Sequence, residues 1–491
     1  MGEVTVRRVP FAGGRARIAP LAWGQRTTWD DMQHYLPEVK PFFVLSRRLP
    51  IPAGLRLDDV IGRLGVLMER HESLRSRYRP ITGFPSVGAN VVQEVLPQGS
   101  VPLTVVDWTP DDPVDFETTV RNARRTIDTR LVDHARESPI RSCLVSRRGT
   151  PTLLLIGVSH VAADARAIDL LAAELAGLLE ASASGRATPP PWTSWHPADQ
   201  AAYEQSPQGM LRNATALRRL RRQLDLAVPS MFGRPQPPAT DPGHPRFVCA
   251  RLESQAIPPA LRVLSRRCRT GTSAVLLAAT AALTHALVGT ERCTFALVLA
   301  NRADPVAQYA ITSLSQTTWV TLDPAGHTFA ELAASAGAAI GDATRHGLHD
   351  PRAAAALLRD VGDRRGVTFD PSCRFNDMWA WTRKQPLPDL PDLRTIRATT
   401  SSTTFSWPAG QATDNDRITV SINIHGTAER IVIDILADTF RLPKPRLRTL
   451  LIGYERLLVE LVARDVGPKE VADLIAPDPT GAPAATGGRI R

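Results

Sequence analysis

A histidine at position 160 stands where an apolar run gives way to a polar turn, in the stretch TLLLIGVSHVAADARAIDLLAAEL that begins at Thr152. Imidazole titrates near neutrality, so at such a place it can take a proton from an attacking amine or hydroxyl. Asp164 follows, at the expected start of a helix, where a carboxylate is favoured by the free N–H groups. It could also hold the shape of the loop by pairing with an arginine. Ser159 precedes His160, but neighbours on an extended segment point to opposite faces, which argues against a Ser159–His160 dyad. The G-x-S-x-G pattern of a nucleophile elbow is absent as well. Taken alone, His160 reads more readily as a satisfied core histidine, so its meaning depends on what surrounds it.

The elements that must position this stretch can be read from periodicity. Ile140–Ser146 and Thr152–Val158 are β-rich runs separated by RRGTP, the pattern of a hairpin. A helix is expected from about Ala165 to Leu179. Upstream, Leu57–Tyr78 has helical spacing, Val101–Asp107 reads as a strand and Phe116–Leu131 as an arginine-studded helix. The second half repeats the mixture. Strands are expected at Phe247–Leu252, Cys293–Leu299, Ser313–Leu322, Ile418–Ile424 and Ile431–Ile435. Helices are expected at Pro258–Cys268, Ser273–Val288 and Pro445–Ala463, the second entered through the capping residues Thr270-Gly271-Thr272. Proline clusters at ATPPPWTSWHP (187–197) and RPQPPATDPGHP (234–245) divide the chain, because Pro neither continues a helix nor sits in a central strand. The expected organisation is a lobe over residues 1–186, a Pro-rich linker region over 187–245, a second lobe over 246–476 and a disordered tail over 477–491. Each lobe is α/β, with mixed sheets.

Four further stretches bear on His160. Arg70-His71-Glu72-Ser73-Leu74-Arg75-Ser76-Arg77-Tyr78 is similar to an RHExLRTxF motif, and Ala22-Trp23-Gly24-Gln25-Arg26-Thr27-Thr28-Trp29 to an S-x-x-Q-x-x-x-W element with Ala22 in place of its Ser. Asn301-Arg302 is similar to an NR segment, and Phe375-Asn376-Asp377 to a weaker FN element. Ser159-His160-Val161-Ala162-Ala163-Asp164-Ala165 resembles an HHxxxDG signature. In their order along the chain and at these spacings, the stretches resemble the condensation domains of nonribosomal peptide synthetases and their chloramphenicol-acetyltransferase-like relatives, over about residues 18–465.

That resemblance implies two chloramphenicol-acetyltransferase-like lobes in a V, with the active site at their junction and His160 as the catalytic residue. It implies a structural pair Asp164–Arg302, a supporting role for Ser159, and a substrate channel bordered by Ala165 and, in the C-terminal lobe, by Trp379, Trp381 and Trp407. Ser159 replaces the motif's first His, and Ala165 replaces its Gly and narrows the approach to the base. Neither a metal nor a cofactor is expected; the donor would ride on the phosphopantetheine arm of an acyl or peptidyl carrier protein, or on coenzyme A. No carrier-serine motif of the GGxS type, no adenylation signature and no thioesterase elbow is found, so a free-standing condensation enzyme fed by a carrier in trans is expected. It would form an amide or an ester with a small-molecule acceptor. A coenzyme-A-dependent acyltransferase and a catalytically idle recruiting module stay open as alternatives.

Composition bounds the rest. At 491 residues the chain exceeds the roughly 250–300 that one core serves. No apolar stretch reaches the ~18 residues of a membrane span, and the N-terminus lacks a secretory h-region. Five scattered cysteines, without a CxxC pair, argue against a disulfide framework or structural zinc and fit a reducing, cytoplasmic compartment. The net charge is +10, and the basic residues are nearly all arginine, as a GC-rich genome produces. It would suit an acidic carrier protein. The arginine clusters lack interleaved aromatics, so no nucleic-acid partner is expected. His346-Gly347-Leu348-His349 has metal-like spacing but no third ligand nearby, and reads as a surface turn.

Overall fold

The computed structural model describes residues 3–34, 43–80, 91–236, 245–370, 373–379, 391–408 and 419–476. Through residue 226 the chain runs β1 (Glu3–Phe11), β2 (Arg17–Pro20), α1 (Trp23–His34), β3 (Val44–Pro50), α2 (Leu57–Arg70), β4 (Ser76–Pro80), β5 (Val91–Val95), β6 (Gly99–Trp108), α3 (Phe116–Thr129), β7 (Ile140–Arg147), β8 (Thr150–Ser159), α4 (Ala165–Ala183), α5 (Pro197–Gln205) and α6 (Pro207–Leu226). It continues with β9 (Phe247–Ser254), α7 (Ile257–Arg267), α8 (Thr272–Val288), β10 (Cys293–Leu299), α9 (Pro305–Gln308), β11 (Gln316–Leu322), α10 (Phe329–His346), α11 (Pro351–Arg365), β12 (Cys373–Asp377), α12 (Leu393–Thr399), β13 (Thr404–Ser406), β14 (Val420–Gly426), β15 (Ile431–Asp438), α13 (Lys444–Ala463) and α14 (Pro468–Ile475).

Two compact units result. The first comprises Met1–Ala216 with Ala300–Gln316 and Leu348–Ala353; the second comprises Leu217–Leu299, Thr317–Gly347 and Ala354–Arg491. The division therefore differs from a lobe–linker–lobe series. Residues 187–245 are not one linker, because Pro197 and Pro207 each stand at the first position of a helix, where a missing N–H costs nothing. The expected tail over 477–491, and Ile418, the first residue of the expected strand at Ile418–Ile424, lie outside the described residues.

The first unit holds a five-stranded sheet in the order β1-β6-β7-β8-β3 and a three-stranded sheet β2-β5-β4. The hairpin β7–β8 turns through Arg148 and Gly149, both left-handed at φ 50° and 77°, as a two-residue turn between twisted strands requires. β8 lies between β7 and β3, and both of its faces are covered. Leu154, Ile156 and Val158 join the cluster that includes residues of α2 and α4, while Leu153 and Leu155 join the one that includes residues of α3. That is why its sequence is a continuous apolar run rather than an alternating one. Each fully buried Leu or Ile here contributes roughly 1.5–3 kcal/mol. The expected helix over Leu57–Tyr78 stops at Arg70. A 3₁₀ turn at Glu72–Arg75 follows, and Ser76–Pro80 pairs with β5 instead.

The second unit is built on a seven-stranded mixed sheet, β11-β10-β12-β14-β15-β9-β13. Its core includes buried residues of α7, α8 and α13. α8 is apolar on every side and its residues Thr272–Thr284 are almost all buried. Its N-cap is Gly271, without a side-chain cap. Among the described residues, no single helix is long and apolar enough to cross a membrane.

Candidate active site

β8 delivers Ser159 and His160 on a backbone pinned from two sides. Ser159 N–H donates to Pro139 O at 2.9 Å, and Ser159 stands opposite Val44 of β3. His160 N–H donates to Phe43 O at 2.6 Å, and the Phe43 ring lies edge-on to the imidazole with centroids 6.4 Å apart. The chain then turns sharply, because Ser159 O accepts from both Ala162 N–H and Ala163 N–H. Val161, Ala162 and Ala163 are completely buried, while His160 is half-buried with its Nδ1 inside. Ser73 Oγ, from the 70–78 motif, donates to Ala162 O and ties the turn to the neighbouring 3₁₀ segment.

Asp164 closes the turn. Its Oδ1 accepts from Ala167 N–H at 2.9 Å, capping α4, and from the Arg302 guanidinium at 2.7 Å; its Oδ2 accepts from Leu314 N–H at 3.0 Å. The sequence-paired Asp164 and Arg302 are thus brought together, with side chains 3% and 7% exposed. Arg302 also donates to the carbonyls of Ala307, Ala310 and Thr312, so the charge is bonded as well as paired. Asn301 turns the chain to present it. Its φ of 52° lies in the left-handed region that Asn tolerates, and its side-chain amide donates to Leu314 O and Gln316 Oε1.

The 300–316 segment is in turn seated on α1 within the same unit. A Cβ on Gly24 would lie 2.5 Å from Ser313 O and 2.7 Å from Leu314 Cα, so only Gly permits this approach. Thr28 Oγ1 lies 2.9 Å from Ser313 Oγ. Gln25 accepts from Ala22 N–H and reaches Tyr78 OH at 3.4 Å. The S-x-x-Q-x-x-x-W-like and RHExLRTxF-like stretches therefore act as scaffold. Arg70 and His71 both contact Glu174 of α4 at 2.7 Å, and Glu72 pairs with Arg17 at 2.6 Å.

One participant gave no sequence signal. His134, in the loop before β7, places Nε2 2.7 Å from Ser159 Oγ, and its ring lies edge-on to Trp29 and Tyr78. Its position, 25 residues upstream of Ser159 in a stretch of charged residues, carries no periodicity that reveals it.

The remaining expected residues divide. Ala165 is the first residue of α4 and half-buried. Trp379 is completely buried, with its indole N–H donating to Thr427 O at 2.5 Å. It has no surface to offer a substrate, which corrects its assignment to a channel wall. Trp407 is 40% exposed and packs edge-on against Phe405, with Lys444 Nζ 5.8 Å from its ring. Trp381 lies outside the described residues. In the FN element, Phe375 is core and Asn376 donates to Asn423 Oδ1 at 3.1 Å. His349 is not at a surface turn. It is buried at 7% exposure, and its carbonyl accepts from Gln316 Nε2. Among the described residues, no group of three or more His, Cys, Asp or Glu side chains is arranged to hold a metal ion.

No family model matches the chain. It is 28% identical over 271 residues to the nonribosomal peptide synthetase kk1B of Curvularia clavata, covering 54% of this chain and 2% of that protein. It is 28% identical over 300 residues to the phosphinothricin tripeptide synthetase PhsC of Streptomyces viridochromogenes, covering 58% of this chain and 26% of that protein. The chain thus spans only a small part of the curated relatives' length. Its fold superposes on the first condensation domain of the calcium-dependent antibiotic synthetase with a TM-score of 0.64, at 18% identity, covering 92% of this chain and 98% of that one.

Proposed function

We infer, from the membership of the condensation-domain family of nonribosomal peptide synthetases that the sequence matches and the shared fold support, that this chain is an acyltransferase of the condensation type. It joins an acyl group held as a thioester to an amine or hydroxyl acceptor. The observation that carries the reading is the setting of His160: an imidazole at the end of a buried strand, its backbone fixed by Phe43 O, beside a turn locked by Asp164 and Arg302. A base held this way loses little to misorientation. With Nδ1 buried, Nε2 is the ring nitrogen assigned to the substrate.

In this mechanism the acceptor's N–H or O–H points at Nε2. As the nucleophile attacks the thioester carbonyl, His160 takes its proton. The tetrahedral intermediate collapses, the C–S bond breaks, and the leaving thiolate takes the proton from the His160 imidazolium, which restores the base. Amide or ester and free thiol are the products. Ser159 takes no direct part, since it is 1% exposed. No carrier-serine motif occurs within these 491 residues, so the phosphopantetheine arm would be presented by a carrier protein that they do not include.

A donor panel tests the proposal. The purified chain is incubated with amine and alcohol acceptors and with one acyl group on a holo carrier protein, on coenzyme A or on a small thiol. The expected result is product from the carrier thioester in preference to the other two. Equal or better turnover from coenzyme A reassigns the donor. Carrier binding with no turnover on any donor overturns the proposal in favour of a recruiting module.

A further inference from the structure

Ser159 Oγ and His134 Nε2 form a serine–histidine pair at 2.7 Å, yet Ser159 is 1% exposed. A nucleophile must reach its substrate, so this pair is not a nucleophile and its base. Its place in the fold gives it another use. Ser159 is the residue at which three segments meet. Its N–H is bound to Pro139 O, its side chain to His134, and its carbonyl to Ala162 N–H and Ala163 N–H, the bonds that make the turn after His160. Whatever holds Ser159 holds His160, the next residue.

His134 is itself well fixed. Its carbonyl accepts Tyr78 N–H at 2.7 Å. Its ring is edge-on to Trp29 with centroids 5.7 Å apart, and to Tyr78 at 6.1 Å. Those two aromatics close the S-x-x-Q-x-x-x-W-like and RHExLRTxF-like stretches. The ring abuts the Ser159 hydroxyl, and position 159 is where the HHxxxDG-like signature has an imidazole that this chain lacks.

We propose that His134 is the positioning residue of this site. Its imidazole, supplied from the loop before β7, takes the place of the one missing at position 159 and holds the turn that aims His160. The proposal rests on the reading of His160 as the base. The exchange is close to volume-conserving, a ring from one segment for a ring from another, which packed interiors tolerate best.

A double-mutant cycle tests it, with the wild type, His134→Ala, Ser159→His and the double variant. His134→Ala removes the partner of a buried hydroxyl and opens a cavity beneath the turn. It should lower kcat for acyl transfer roughly tenfold to a hundredfold with little change in KM, as misplacement of a catalytic group does. Ser159→His alone crowds two rings into one space and should lower both kcat and melting temperature. The double variant should regain most of each, because one imidazole again fills the site. His134→Gln, whose amide can still reach Ser159 Oγ, should retain more kcat than His134→Ala, and it carries the comparison if the alanine variant does not fold. Losses in the double variant equal to the sum of the single losses, or an unchanged kcat in both His134 variants, would overturn the proposal. The melting temperatures of the same four proteins decide the exchange of rings by themselves. A failure of the acyl-transfer reading is seen separately, as His160→Ala leaving turnover untouched.

Discussion

Three donors converge on the carboxylate of Asp164: Ala167 N–H from the first turn of α4, and Leu314 N–H and the Arg302 guanidinium from the 300–316 segment. Replacing it by Ala would leave the Arg302 charge buried and two amides without an acceptor. Breaking a buried pair in this way costs roughly 3–5 kcal/mol. Asp164→Ala should therefore lower the unfolding free energy by that amount, read as a lower urea midpoint at an unchanged denaturant slope, and a loss below about 1 kcal/mol would show that the pair does not hold the fold. At this scale the sequence was informative where residue type and spacing coincide. The pairing of Asp164 with Arg302 was legible through the order of the motif-like stretches, and His160 drew its meaning from the same stretches rather than from its own position. His134 was not, because what defines it is a contact between residues 134 and 159, and nothing in its local sequence encodes that contact. Trp379 was misread for the opposite reason. An aromatic near expected site residues looks like channel lining, and only its complete burial and its bond to Thr427 O reveal it as core.

At the scale of elements, α5 docks on the start of α1 through a buried acid. Glu204, 2% exposed, accepts from Trp23 N–H at 2.7 Å and from Gln200 at 2.8 Å. Burial outweighs these bonds and pushes its carboxyl up to about 8. The folded chain therefore keeps a proton that the unfolded chain releases near the ordinary carboxylate value. Its stabilising effect is fully present below that value and is lost as pH rises towards about 8. Melting temperature should fall across that window in the wild type and fall less in Glu204→Gln. Parallel pH profiles for the two proteins would refute this assignment. The elements themselves were legible where periodicity runs unbroken, as in α8, β10 and the β7–β8 hairpin. They were not legible where tertiary contacts override it. The 70–78 stretch keeps helical spacing, yet Glu72 is drawn to Arg17 and Ser76–Pro80 to β5, and the helix ends. Proline was read as punctuation in 187–245, whereas Pro197 and Pro207 start helices.

For the whole molecule, mixed α/β halves were evident from alternating strand and helix patterns, and the chloramphenicol-acetyltransferase-like fold agrees with them. The division into units was not evident, because it depends on residues 300–316 and 348–353 joining the N-terminal half, a long-range choice. That choice matters to the chemistry. It brings Arg302 and Leu314 to Asp164, and so lets a segment 138 residues downstream of Asp164 set the turn behind His160. The account stands on that imidazole acting as the base. Its most direct test is the single-turnover rate of acyl transfer from a preloaded carrier thioester, compared between the wild type and His160→Ala at matched melting temperature. Removing the side chain leaves the His160 N–H bond to Phe43 O in place, so the fold should be unchanged. The predicted result is a rate lower by roughly 10²–10⁴-fold, the usual contribution of a positioned general base. Equal rates in two equally stable proteins would contradict it.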